Sequence, residues 1–129
     1  MIFTRPRGSR EYVLERERAL PTDAQTIFLL DDLRERDRVK VMDSFRINLD
    51  DEGSSVGGSG MRTYTAIKCG LRGWRNAKYA DGSDVPFTSE SGSKQPDDET
   101  LAMLSWEDKS ELAGEIINAA FADEDDKEK

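Results

Sequence analysis

At 129 residues, with a net charge of −8 and with 36% apolar and 36% charged residues, the chain has material for one modest core and little more. It contains no histidine and a single cysteine, Cys69, which excludes an internal disulfide, a Ser-His or Cys-His nucleophile pair and a soft metal site, and fits a reducing cytoplasmic setting. No stretch approaches the ~20 apolar residues of a spanning helix, and no apolar run follows the basic N-terminus, so neither membrane insertion nor signal-directed secretion is expected.

Residues 1–20 are arginine-rich with scattered apolar positions (Ile2, Phe3, Tyr12, Val13, Leu14) and read as an arm or edge element that Pro21 interrupts. Residues 25–30 (QTIFLL) are an apolar, β-branched run that suits a buried strand, although so short a run also accommodates a helical turn. Asp32 precedes Glu35 at capping-box spacing, which predicts a helix start. Val39, Met42, Phe45 and Leu49 then form one apolar stripe, with Arg34, Glu35, Arg38 and Asp43 off it or at its margin, and the stripe reads as a core face.

Residues 50–60 (DDEGSSVGGSG) carry four glycines, whose conformational freedom opposes regular structure, and read as a flexible Gly/Ser loop. No Lys-Ser or Lys-Thr pair follows as a phosphate-binding loop would require. Tyr64, Ile67, Leu71 and Trp74 suggest the next helical stripe, with Lys68, Arg72 and Arg75 on another face; Gly70 and Gly73 weaken that helix but admit a close neighbour. Residues 61–79 hold five bases and no acid, so this face is suited to dock either the acidic C-terminal helix or a partner.

Asp81-Gly82 and Pro86 mark a turn in which the helix must already have ended. Asp81 and Asp84 are too few and badly spaced for a calcium loop. Residues 88–98 are a second polar loop, residues 100–104 a short apolar turn, and Ser105 with Asp108 a capping start. Leu112, Ala113, Ile116, Ile117, Ala120 and Phe121 give the clearest amphipathic helix, followed by an acidic tail at 123–129. The expected fold is mainly α with a small β element, an α+β domain of about three helices and a short N-terminal strand or hairpin. It spans residues 21–122, between the arm at 1–20 and the tail.

The acids concentrate in caps, loops and the tail, and residues 80–129 carry fifteen acids against four bases. Solvated carboxylates keep ordinary pKa values, whereas an acid catalyst needs burial or a like-charged neighbour, so no enzyme and no cofactor are expected. Nucleic-acid binding is disfavoured because phosphate neutralisation needs a net basic surface. Trp74 lies on its stripe and reads as core; Trp106 sits at a helix start, against Leu101 and Leu104 or free to anchor a partner.

Residues 70–87 (GLRGWRNAKYADGSDVPF), followed by a polar spacer and a helix with Glu111, Leu112 and Ile116, resemble small proteins of tailed bacteriophages, in particular tail assembly chaperones of the siphophage type. The QTIFLL segment and the charged helix after it extend the likeness over residues 21–121. The resemblance implies a mostly helical protein of the host cytoplasm that coats the tape-measure protein and recruits tail-tube subunits during virion assembly, with no cofactor and no catalytic residue. In that family a longer, frameshifted form is often made. The arginine-rich arm and the glycine loop have no counterpart there, which leaves room for a virion component: a head-tail adaptor, a tail-end protein or a capsid accessory protein. A regulator that binds a host factor through its acidic surface is a third reading, against which the basic segment at 62–78 argues.

The expected partners are therefore other phage proteins, tape-measure and tail-tube proteins or neighbouring virion subunits, and further copies of this chain. The apolar candidates for the grip are Trp106, Ile117 and Phe121, and the basic ones are Arg72 and Arg75.

Overall fold

The computed structural model describes residues 9–50 and 55–127, and the side chains of residues 9–44 and 60–121. Three short strands, β1 (Arg10–Tyr12), β2 (Ile27–Leu30) and β3 (Leu71–Arg75), form one antiparallel sheet in the order β1-β2-β3. Two 3-10 turns, Glu15–Glu17 and Thr22–Ala24, lie between β1 and β2. The helices are α1 (Glu35–Asp50), α2 (Ser55–Gly70), α3 (Asp98–Ala102) and α4 (Trp106–Lys127), so the α+β expectation holds.

The strand expected within residues 25–30 is β2, the centre of the sheet. Phe28 and Leu30 alternate into the core and bring with them Tyr12 from β1 and Leu71 and Trp74 from β3. Of the expected arm or edge element at residues 1–20, residues 10–12 form an edge strand and Leu14, just past β1, is a fully buried core residue; residues 1–8 lie outside the described residues. β3 corrects the helical reading of residues 64–74. The spacing of Tyr64, Ile67, Leu71 and Trp74 crosses the end of α2 at Gly70, after which Leu71 and Gly73 alternate inward as a strand does.

α2 crosses α4 at Gly70, where an added Cβ would fall 2.7 Å from Ile116 Cγ2. Leu112, Ala113, Ile116 and Ala120 of α4 are buried, as their spacing predicts, and Asp108 N–H donates to Ser105 Oγ at 3.1 Å in the expected cap. α1 starts at Glu35, later than Asp32 suggests, and Asp32 instead pairs with Arg10. α2 starts at Ser55, so the second half of the expected Gly/Ser loop is helix; residues 51–54 lie outside the described residues. The acidic tail is helical through Lys127 at the end of α4.

α1 departs furthest from its pattern. Val39 and Met42, expected in the core, are 48% and 52% exposed, while Val41 and Ser44 are buried. The contact with α2 is made by small and polar groups: Ser44 Oγ and Thr65 Oγ1 are hydrogen-bonded at 3.0 Å, and Asp37 lies against Cys69. Val39 and Met42 of the more apolar stripe are thereby left outside this contact. The side chains of Phe45 and Leu49, the rest of that stripe, lie outside the described residues.

Residues 76–97 wrap the sheet and α2. Asn76, at φ 60°, turns the chain out of β3 and donates through Nδ2 to the carbonyls of Asp23 and Gln25. Ala77 to Val85 fold back as a tight turn that brings Phe87 onto Trp74. The buried Lys68 donates to Pro96 O at 2.9 Å and pairs with Glu90, which fastens the polar loop to α2. Asp97, a cap the spacing arguments miss, accepts from Thr100 N–H and starts α3.

Candidate functional site

Between α1 and α4 lies a groove of about 200 Å³ lined by Val41, Met42, Arg62, Ile117 and Phe121. Ile117 and Phe121 sit one turn apart on α4, at the border between its buried face and solvent. Arg38 stacks its guanidinium 5.6 Å from the Phe121 ring centroid and donates to Ala120 O, so the aromatic ring is held in place from the α1 side. Two of the three apolar residues singled out in the sequence are thereby brought together. Met42, read there as core, joins them in the groove, and Val39 is exposed elsewhere on α1; the signal that could have revealed this is the polar pairing of Ser44 with Thr65 at the contact of α1 with α2.

Trp106 lies elsewhere. It is 53% exposed, packs its indole edge over Gly60 of α2, and has Lys109 Nζ at 5.7 Å from its ring centroid. Trp74, by contrast, is built in: its ring meets Phe28 at 6.1 Å and Phe87 at 5.0 Å, both edge-on, and Nε1–H donates to Val85 O at 2.8 Å. Residues 76–87 thus form a clasp over the sheet. Beside it, a larger groove of about 370 Å³ has mixed walls, with Trp74, Phe28 and Leu104 facing the carboxylates of Glu17 and Asp108.

The basic candidates make ion pairs within the fold. Arg72 pairs with Asp31 at 3.2 Å and donates to the carbonyls of Cys69 and Leu71, closing the end of α2. Arg75 pairs with Glu11 across the outer face of the sheet. α2 packs on the C-terminal helix, but Lys68 and Lys78 pair with Glu90 and Asp84 rather than with its acids. The acids of α4 are met from the N-terminal segment instead, Asp108 by Arg16 at 2.8 Å, Glu115 by Arg10 and Glu111 by Tyr12.

Titratable groups are tuned by the fold in ways that hold structure. Burial pushes the Cys69 thiol up to about 11, with the nearby Asp37 adding to the effect, so the thiolate is scarce near neutrality. Hydrogen bonds from Thr88 hold Asp97 below the usual carboxylate range, and those from Ser83 do the same for Asp81. Among the described residues no cluster of three His, Cys, Asp or Glu side chains is placed to hold a metal ion, and no helix is long and apolar enough to cross a membrane. What the groove offers is a soft apolar seat edged by arginine. Compared with protein-family models, with curated proteins and with solved structures, the chain matches none.

Proposed function

We propose that this chain is a non-catalytic morphogenesis protein of a tailed bacteriophage, a tail assembly chaperone that grips the tape-measure protein and recruits tail-tube subunits in the host cytoplasm. The observation that carries the binding role is the apolar groove between α1 and α4, where the exposed Met42 lies with Val41 beside Ile117 and Phe121. Apolar side chains spaced this way on two helices suit the helix-in-groove mode, in which a partner helix inserts anchors at i, i+3 or i+4. The choice of tape-measure protein as the occupant rests on the resemblance of residues 70–87 and of the elements flanking them.

The test is co-expression with tape-measure fragments, followed by pull-down with the native chain and with Ile117→Asp and Met42→Asp variants whose circular dichroism is unchanged. The native chain retains a fragment and both variants lose it. Retention by both folded variants sinks the groove, and failure of the native chain to retain any fragment sinks the chaperone reading. Mass spectrometry of mature particles supplies the second arm. A chaperone is missing from them, whereas stoichiometric presence makes the chain a virion component instead.

A further inference from the structure

On α2, at about 100° per residue, Met61 and Tyr64 lie roughly 100 to 160° around the helix from Arg62, and so away from the α1–α4 groove. Both are exposed, and they adjoin Trp106: a Cβ at Gly60 would lie 3.6 Å from Trp106 Cη2, so the indole rests where Gly60 leaves the helix bare. Met61 is the next residue of that helix and Tyr64 is one turn on. Tyrosine, tryptophan and methionine are the side chains enriched at protein interfaces, and here three of them form one uncovered face. The indole N–H of Trp106 donates to no acceptor among the described residues.

The rim of this face is acidic on balance: Lys109 Nζ stands 5.7 Å from the Trp106 ring centroid and Lys68 Nζ 5.8 Å from that of Tyr64, with Lys68 already paired to Glu90. Residues 97–108 hold five acids and no base, and α3 and α4 place Asp98, Glu99, Glu107 and Asp108 in their first turns. Three of the five acids are engaged: Asp97 by Thr88 and Thr100, Asp98 by the Tyr64 hydroxyl at 3.1 Å, and Asp108 by Arg16. Glu99 and Glu107 are exposed and make no ion pair among the described residues. Acids in a first turn are favoured by the helix dipole alone, but that does not account for three large apolar side chains left uncovered beside them.

We infer that this second face docks a cationic amphipathic segment of a partner protein, with its apolar side chains on Met61, Tyr64 and Trp106 and its Lys or Arg residues over Glu99 and Glu107. The face is independent of the α1–α4 groove and does not depend on the identity of that groove's ligand. Complementary charge sets encounter and orientation, and the apolar anchors set the residence time.

Two synthetic helical peptides with the same leucine stripe, one flanked by lysines and the other by glutamates, are titrated into the intact protein by calorimetry. The lysine peptide binds, weakens as salt is added, and loses about 10- to 30-fold in affinity on Trp106→Ala or Tyr64→Ser. The double reversal Glu99→Lys, Glu107→Lys moves the preference to the glutamate peptide, and Ile117→Asp, on the other side of the fold, leaves binding unchanged. Equal affinity for the two peptides, no binding of either, or binding that survives both Trp106→Ala and Tyr64→Ser overturns the inference. So does a dimer abolished by Trp106→Ala, which assigns the face to a second copy.

Discussion

Ile116 occupies the space that a side chain at Gly70 would need: three of its carbons lie between 2.7 and 3.0 Å from the position of a Cβ there. Gly70 ends α2 with no positive φ, so helix propensity alone favours alanine by about 1 kcal/mol. The clash outweighs that gain, because overpacking a filled core costs about 1 to 3 kcal/mol. Gly70→Ala is therefore expected to lower stability in chemical denaturation. Paired with Ile116→Ala it costs less than the two single changes added together. A Gly70→Ala protein more stable than the native one would show that the helix crossing is looser than described.

Cys69 is 3% exposed and its thiol is raised from an ordinary 9.0 to about 11. Below pH 9 both folded and unfolded thiols keep their proton and the group adds no pH dependence. From pH 9 to 11 the unfolded thiol ionises while the folded one does not, so stability falls across that window, by up to about 2.7 kcal/mol for a two-unit shift. Cys69→Ala should flatten this part of the alkaline stability curve. At neutral pH the native thiol should react with a disulfide reagent only as fast as the fold opens; immediate labelling of a folded sample contradicts the burial.

Much of the fold is legible in the sequence where one physical preference acts unopposed. Within residues 25–30 the four apolar residues at 27–30 run without interruption and become the central strand, and α4 carries both a cap at Ser105 and a long apolar spacing. The errors arise where two preferences compete. Tyr64, Ile67, Leu71 and Trp74 satisfy helical spacing, but Gly70 ends the helix against Ile116 and the last two residues belong to a strand. On α1 the apolar stripe is the wrong guide, since the helix turns Ser44 toward Thr65 and leaves Met42 outside. The groove follows the same logic: the spacing of α4 places Ile117 and Phe121 together at its edge, whereas the spacing of α1 puts Met42 in the core and the structure puts it in the groove.

Phe87 closes the clasp at residues 76–87 by meeting Trp74 edge-on at 5.0 Å. It is only partly buried, so Phe87→Ala should cost about 2 kcal/mol, below the 3 to 5 kcal/mol of a fully buried ring. The same change wets the Trp74 indole while leaving Trp106 as exposed as before. Tryptophan emission should therefore shift to the red and be quenched more readily in the variant. An unshifted spectrum with unchanged stability would mean that the clasp does not hold the sheet.

Glu111 ties the N-terminal segment to α4 by accepting from both the Tyr12 hydroxyl at 2.7 Å and the Glu15 amide at 2.9 Å. Burial raises the Tyr12 phenol, and the hydrogen bond and negative charge of Glu111 raise it further, to about 12. Because the folded value lies above the ordinary 10.0, the contribution is complete below pH 10 and is lost as pH climbs toward 12. Glu111→Gln removes the charge and keeps an acceptor oxygen for one of the two donors. Tyr12 should then ionise earlier in a tyrosinate absorbance titration while staying above 10.0, since burial is the larger cause. Tyr12→Phe removes the latest-ionising component altogether. If Glu111→Gln leaves that component where it was, the N-terminal edge strand is not anchored to α4 through this carboxylate, and Arg16 with Asp108 must carry the attachment.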